Sequence, residues 1–200
     1  MASRTLESCI RSTTDSTAII IPSEKSPIIL SQKDLRTQVL SLQAKLANIG
    51  IAPKDAVALS LPNGLELVIA FLATTQQRAV SAPLNPAYKQ EEVEFYLEDL
   101  RPKLLLVPRG FVEANGEAVR AARRCNTAIA EIFWTGGSVS LLLDVQASQL
   151  SSGPANVETP QENDVALVLH TSGTTGRPKA VRSSFRDHMR CALTHDYRSH

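Results

Sequence analysis

The sequence contains few aromatic residues and almost no excess of charge. Phenylalanine, tryptophan and tyrosine make up 4% of its 200 residues, which leaves no platform on which single-stranded nucleic acid could stack. The formal net charge is +1, so no electrostatic attraction to nucleic acid or to an anionic membrane surface is indicated. These absences predict a protein without a nucleic-acid partner.

Cysteine and long apolar runs are also scarce. The three cysteines, Cys9, Cys125 and Cys191, are widely spaced and include no Cys-x-x-Cys pair. Neither a disulfide framework nor a zinc site is therefore expected, and each thiol is interpreted as inert and buried. The longest apolar stretch, Leu67 to Ala73, is too short to span a bilayer. Residues 1–16 lack the apolar run of a signal peptide, so the sequence predicts an intracellular protein without a membrane span.

The most regular pattern in the sequence predicts a hairpin followed by a helix. Two short β-rich runs flank a polar, proline-containing turn between Thr17 and Ser31. Apolar residues then recur at steps of four and three, which places them on one helical face: Leu35, Val39, Leu42, Leu46 and Ile49. Ser31 and Asp34 resemble a capping box, and Gly50 occupies the position typical of a glycine just after a helix.

The rest of the chain alternates between short apolar runs and helical patterns. The predicted strands are Ala56 to Leu61, 79–83, 103–108, Ala128 to Trp134 and Val165 to Leu169. The predicted helices are Leu65 to Arg78, 89–100 and 111–124. This alternation is typical of βαβ crossovers and predicts an α/β fold with a mostly parallel sheet. Residues 135–164 are polar and contain Pro154 and Pro160, so they are interpreted as a connector.

A loop rich in glycine and hydroxyl side chains follows the last predicted strand, in the sequence LVLHTSGTTGRPKAV at residues 167–181. Gly173 and Gly176 allow the backbone to approach a ligand closely. Hydroxyl groups of the neighbouring residues add hydrogen-bond donors, and Lys179 adds a positive charge suited to phosphate oxygens. Parallel sheets bind their ligands in loops that follow the strands, so the loop predicts phosphate binding.

A loop of this composition also has two other interpretations, a P-loop and a plain polar turn. In a P-loop of the form GxxxxGK[ST] the lysine directly follows the second glycine, whereas Lys179 comes three residues after Gly176 and no serine or threonine follows it. A plain polar turn is the usual meaning of a glycine, serine and threonine cluster. The complete ordered pattern, with its Pro-Lys pair and preceding strand, argues against a plain turn.

The segment TSGTTGRPKA resembles the phosphate-loop signature of the adenylate-forming superfamily, which includes acyl- and aryl-CoA synthetases. The upstream segments VALSLPNGLELVIAFLA and APLNPAYKQEEVEFYLED are similar to the amino-terminal part of CoA ligases in that family. The 4-coumarate–CoA-ligase-like and fungal peroxisomal CoA-synthetase branches are the nearest. The resemblance covers about residues 15 to 181, so it implies an incomplete amino-terminal domain of such an enzyme.

The resemblance implies a two-step reaction that uses ATP, Mg²⁺ and coenzyme A. A carboxylic acid is first converted into an acyl-adenylate with release of pyrophosphate, and a thiol then takes the acyl group. The acid, the choice between CoA and a carrier protein as acceptor, and the oligomeric state stay open. The resemblance implies a phosphate-contacting set that consists of Thr171, Ser172, Gly173, Thr174, Thr175, Gly176 and Lys179. Ala180 replaces the glycine that usually follows the lysine.

The family resemblance and the change in composition near the end predict three parts of the chain. Residues 1–160 are expected to form an amino-terminal α/β subdomain, 161–181 the strand and phosphate loop, and 182–200 an atypical tail. In the family, the catalytic residues, the adenine and ribose contacts, the acidic Mg²⁺ ligand and a carboxy-terminal domain come after the loop. The chain is therefore expected to be truncated and inactive alone, and its strand at 165–169 to expose an apolar edge.

The tail has an unusual composition, RSSFRDHMRCALTHDYRSH, that changes abruptly at Arg182. Its histidines, His188, His195 and His200, are interpreted as solvated and not as metal ligands. A frameshift or mis-splicing is the expected cause, and sequencing the transcript tests it. The ending Arg-Ser-His does not match the peroxisomal S-K-L address, although an intact version is a candidate for that compartment. The alternatives are a non-catalytic remnant or interaction module and, less favoured, a small nucleotide-binding protein.

Overall fold

The hairpin and the first helix predicted from the sequence are both present. The structure, a computed structural model, describes residue 10 and residues 13–22, 26–144, 150, 153–171 and 179–185. Within these residues the strands are β1 (Thr17–Ile21), β2 (Ile28–Ser31), β3 (Ala56–Leu59), β4 (Val80–Pro83), β5 (Leu104–Pro108), β6 (Ala128–Trp134), β7 (Val139–Leu143), β8 (Val165–Thr171) and β9 (Lys179–Ser184). The helices are α1 (Gln32–Asn48), α2 (Leu65–Gln76), α3 (Gln90–Leu100) and α4 (Glu117–Arg124).

One seven-stranded sheet organises the described residues. Its strand order is β7-β6-β5-β3-β4-β8-β9, and β1 and β2 form a separate antiparallel pair. The five inner strands run parallel, whereas β7 pairs antiparallel with β6 and β9 pairs antiparallel with β8. The predicted α/β class with a mostly parallel sheet is confirmed. None of the described helices is long and apolar enough to cross a membrane.

Helix α1 begins where its capping residues predict. The backbone N–H of Asp34 donates to Ser31 Oγ at 3.1 Å, and the N–H of Ser31 donates to Asp34 Oδ2 at 3.2 Å. These reciprocal bonds satisfy backbone donors that a helix start would otherwise leave without partners. The chain leaves the helix through Gly50, whose φ of 90° suits a residue without a Cβ atom. The capping box and the terminal glycine are both confirmed.

The core lies on both faces of the sheet. Val57 and Leu59 of β3 point into one apolar cluster, which α1 and α2 cover, while Ala58 between them points into a second. Leu104 and Leu106 of β5 join the first cluster by the same alternation. Burial on both faces explains why these strands are continuous apolar runs in the sequence. The packing fixes the inner strands and therefore the loops at their ends.

Two element predictions were wrong. Helix α4 begins at Glu117 instead of residue 111, because residues 109–115 form turns that include Gly110 at a φ of 83°. The predicted connector contains strand β7, whose residues pair with β6 from Ala130↔Leu143 to Trp134↔Val139. The main-chain N–H of Val139 also donates to Gln38 Oε1 of α1 at 3.0 Å. The apolar run Leu141 to Leu143 is therefore an edge strand within an otherwise polar segment.

Strand β8 is also better covered than expected. The sequence predicts an unpartnered apolar edge at 165–169, but β8 lies between β4 and β9 and extends to Thr171. Strand β9 itself was not predicted, and it continues through Arg182 to Ser184. Phe185, the next residue, is 1% exposed. The packed part of the fold therefore continues beyond the change in composition at Arg182.

Candidate functional site

Strands β8 and β9 bring the two ends of the phosphate loop together. Their register pairs His170 with Ala180 and Thr171 with Lys179. Thr171 and Lys179 are thus backbone neighbours at the top of an antiparallel hairpin, and Lys179 is exposed. The other predicted phosphate contacts, Ser172, Gly173, Thr174, Thr175 and Gly176, lie outside the described residues.

The loop follows the carboxyl end of a parallel strand. β8 pairs with β4 in parallel, with Leu167 opposite Ser81. This is the edge of the sheet at which α/β proteins place ligands, because the connecting loops there surround a crevice. The pairing confirms that the strand before the loop belongs to the parallel sheet, whereas the location of the loop itself stays a prediction.

A histidine next to the loop contacts helix α3. His170 is half-buried as a residue, but only 5% of its side chain is exposed, and its Nε2 lies 2.9 Å from Asp99 Oδ2. The imidazole ring also packs on the ring of Tyr96, with 4.7 Å between centroids and planes tilted by 55°. The sequence analysis missed this pair. Its two members are 71 positions apart, and no local motif connects them.

Tyr96 belongs to an aromatic group on the same side of the sheet. It stacks on Tyr88 at 5.1 Å and meets Phe95 edge to face at 5.4 Å between centroids. Interaction with the Tyr88 hydroxyl, together with burial, raises the pKa of Tyr96 to about 12. The phenol of Tyr96 therefore stays neutral at physiological pH, and its ring packs against the imidazole of His170.

A second charged group holds the other end of β8. Arg78, just before β4, donates from Nε to Asp164 Oδ2 at 2.8 Å and from Nη2 to Asp164 Oδ1 at 3.0 Å. Arg78 also pairs with Glu158. Burial acts to raise the pKa of Asp164, but the bonds from Arg78 and from the N–H of Gln161 outweigh it and hold that pKa below its ordinary value. Asp164 is therefore ionised at neutral pH.

A cavity of about 560 Å³ lies along β8 and β9. Its lining includes Lys54, Asp55, Arg78, Lys103 and Asp164 at the amino-terminal ends of the strands. It also includes Asp99 and Ala180, which respectively contact and pair with His170. Salt bridges already engage four of these residues, Arg78 with Asp164 and Lys103 with Asp55, so the cavity is a charged structural junction.

Of the three cysteines, Cys125 lies within the described residues. Cys9, Cys191 and the three tail histidines, His188, His195 and His200, lie outside the described residues. Cys125 is a free thiol. It is half-buried, whereas the sequence predicts that it is fully buried. Burial raises the pKa of its thiol, with added effects of Glu98 and Glu94, so less of the reactive thiolate is present at neutral pH than in a free cysteine.

A family model supplies the observation that identifies the fold. The model described as "AMP-binding enzyme" matches residues 6–200 of this chain. The chain belongs to the AMP-binding enzyme family. This adenylate-forming family is the one that the TSGTTGRPKA segment resembles, so the resemblance is confirmed. The match includes residues 182–200, whereas the proposed division of this AMP-binding chain at 160 and 181 stays a prediction.

Named relatives of this AMP-binding chain include CoA ligases. It is 43% identical to the oxalate–CoA ligase of Arabidopsis thaliana over 136 residues, which cover 68% of this chain and 26% of that protein. It is 31% identical to the oxalate–CoA ligase of Saccharomyces cerevisiae over 196 residues, covering 85% of this chain and 35% of that protein. The AMP-binding chain thus spans about a quarter to a third of the length of these relatives.

Solved structures share its fold. MatB from Rhodopseudomonas palustris superimposes with a TM-score of 0.73 at 22% sequence identity, covering 96% of this chain and 37% of that one. An acyl-CoA synthetase of Brucella canis gives a TM-score of 0.70 at 24% identity, covering 94% and 34%. The described architecture is therefore that of the amino-terminal part of the AMP-binding fold.

Proposed function

We propose that this chain is the phosphate-binding, amino-terminal part of an acid–CoA ligase. Such an enzyme joins a carboxylic acid to AMP and then transfers the acyl group to coenzyme A. Family membership and the CoA-ligase relatives support this proposal. The observation that carries it is the register of β8 and β9, which pairs Thr171 with Lys179 at the carboxyl end of a parallel strand.

The residues of the loop fit the triphosphate of ATP chemically. Backbone N–H groups at Gly173 and Gly176 and the hydroxyls of the threonines and serine donate hydrogen bonds to phosphate oxygens. Lys179 faces solvent at the base of the loop and adds a compact positive charge. These groups stabilise the negative charge that develops on departing pyrophosphate. When bound, ATP supplies the phosphorus that the acid attacks.

Magnesium is compatible with the proposal because it can bind to the phosphates of ATP. The part of the chain that the structure describes has no group of three or more His, Cys, Asp and Glu residues able to hold a metal ion. Because Mg²⁺ commonly binds substrate phosphates and keeps several waters, the residues present are compatible with a metal that arrives with ATP. The chain's own part is to hold the phosphate oxygens.

The proposal extends to the carboxylic acid substrate and to the cellular compartment. Oxalate is the first acid to test, because two relatives carry it in their names. ATP–pyrophosphate exchange with oxalate, compared with an aromatic and a fatty acid, reports the preference in a version with the full length of those relatives. Fluorescent tagging of that version tests the proposed peroxisomal location.

Pyrophosphate binding by this chain tests the core of the proposal. Titration calorimetry with magnesium pyrophosphate is expected to show binding, and Lys179→Ala is expected to weaken it by about tenfold, since one charge-assisted contact is lost. Lys33→Ala, another exposed lysine at a distance from the loop in sequence, is the matched control and should change nothing. Absence of binding, or equal affinity in both variants, contradicts the proposal.

A further inference from the structure

The end of β8 that leads into the phosphate loop extends beyond its neighbour β4. Leu167 lies opposite Ser81 in the parallel pairing, so Pro83, the last residue of β4, lies level with Leu169. His170 and Thr171 therefore continue one and two residues past the end of β4. Pairing with β9 does not connect this end to the rest of the domain, because β9 is the other arm of the same hairpin.

The side chain of His170 supplies a connection that the backbone of β4 does not. Its Nε2 is 2.9 Å from Asp99 Oδ2, and its ring lies 4.7 Å from the ring of Tyr96, both on α3. Tyr96 is 8% exposed and belongs to the core cluster beneath the sheet. His170 thus links the loop end of the hairpin to a helix that is itself fixed by packing.

The hydrogen bond to Asp99 gives the His170 ring a polar partner on α3. Only 5% of the His170 side chain is exposed, so its ring nitrogen needs a hydrogen-bond partner, and half of the Asp99 side chain that provides it is exposed to water. An acceptor on one ring nitrogen fixes the tautomer and the rotation of the imidazole. The pair therefore sets the direction in which β8 leaves the sheet, one residue before Thr171.

We infer that Asp99 and His170 form a positioning pair for phosphate binding, which fixes the end of β8 from which the loop departs. Neither side chain is assigned a phosphate contact. The pair acts through placement, because loop donors must meet phosphate oxygens to within a fraction of an ångström. The inference rests on the proposed function of the loop and adds α3 to the elements that determine its affinity.

Asp99→Ala is the decisive variant, because this exposed side chain can be removed without emptying the core. Its affinity for magnesium pyrophosphate is expected to fall about fivefold, which corresponds to about 1 kcal/mol. Glu98→Ala, the neighbouring exposed acid on the same helix, removes the same charge and should bind as the wild type does. The thermal midpoints of the two variants should agree, which separates placement from stability.

Substitutions of His170 test the other member of the pair, through a double-mutant cycle with His170→Phe and through His170→Gln. Phenylalanine keeps a ring against Tyr96 but has no donor, so it should match Asp99→Ala, and the double variant should be no worse than either. Glutamine keeps an N–H and should restore part of the affinity. In the absence of ligand, the amide NMR signals of Gly173 and Gly176 should shift in Asp99→Ala and not in Glu98→Ala.

The outcomes separate the two proposals. If the wild-type chain binds pyrophosphate and Asp99→Ala binds it equally well, the positioning role is overturned while the proposed function stands. If the glycine amide signals respond equally to Asp99→Ala and Glu98→Ala, the role is overturned without reference to a ligand. If the wild-type chain binds no pyrophosphate, the proposed function fails and the inference fails with it.

Discussion

Arg78 and Asp164 form a two-pronged contact between the starts of two adjacent parallel strands. The guanidinium meets both carboxylate oxygens, at 2.8 and 3.0 Å, and the two side chains are 12% and 11% exposed. Arg78 adopts a left-handed backbone conformation, with a φ of 58°, where the chain turns from α2 into β4. The pair fixes β8 at the end opposite to the phosphate loop.

Replacing Asp164 by asparagine is expected to destabilise the fold by about 2 kcal/mol, because two charge-assisted hydrogen bonds in a mostly buried site are weakened. Glu158→Gln removes the other carboxylate that Arg78 contacts, but that side chain is 50% exposed, so the change should stay within about 0.5 kcal/mol. Urea denaturation measures both. Equal effects of the two substitutions would show that burial does not strengthen the Arg78–Asp164 pair.

The same aspartate predicts a dependence of stability on pH. Its pKa is held below the ordinary value in the folded chain, so the stability that it contributes is fully present above about pH 4 and is lost as the pH falls through the folded-state pKa. The difference in unfolding free energy between the wild type and Asp164→Asn should therefore shrink between pH 6 and pH 3. A difference that stays constant over this range contradicts the assignment.

The start of α1 provides a test of capping. Ser31→Ala removes the oxygen that accepts the Asp34 N–H and is expected to cost about 1 kcal/mol, whereas Ser31→Asn keeps an acceptor of similar reach and should cost a few tenths of that. Thermal unfolding followed by circular dichroism distinguishes the two. A loss of the same size in both variants would mean that side-chain size matters at this position and capping does not.

Cys125 reports on burial through its reactivity. Burial raises the pKa of this thiol, and only the thiolate attacks a disulfide reagent. In a variant with Cys9→Ser and Cys191→Ser, the rate of reaction with a chromogenic disulfide should rise with pH to a midpoint above the value of about 8.5 for free cysteine. A midpoint at or below that value would place the thiol in water or beside a positive charge.

The parallel core could be read from the sequence because its strands are buried on both faces. Val57 and Leu59 point to one side and Ala58 to the other, so an uninterrupted apolar run was an adequate signal. The edge strands gave weaker signals. Four of the six residues of β9, from Lys179 to Arg182, are exposed and show no apolar alternation, because backbone pairing with β8 decides its structure.

In the candidate site, too, some residues are predictable from the sequence and others are not. The loop residues are predicted from a local motif of ten residues, whereas the contact of His170 with Asp99 joins positions 71 apart in the chain. Each of these two residues has an ordinary neighbourhood in the sequence. Only the geometry of β8 against α3 brings them together, so no reading of one sequence could pair them.

The pairing of β4 with β8 also has a consequence during synthesis, because the two strands are far apart in the chain. Arg78 and Asp164 are 86 positions apart, a distance that a ribosome covers in roughly 4 to 17 seconds at about 5–20 residues per second. Until then β4 has one unpaired edge, which is short and ends at Pro83, a residue with no N–H to offer a stray strand. The nascent chain thus carries an edge poorly suited to pairing for seconds, and β8 is the last of the described parallel strands to join the sheet.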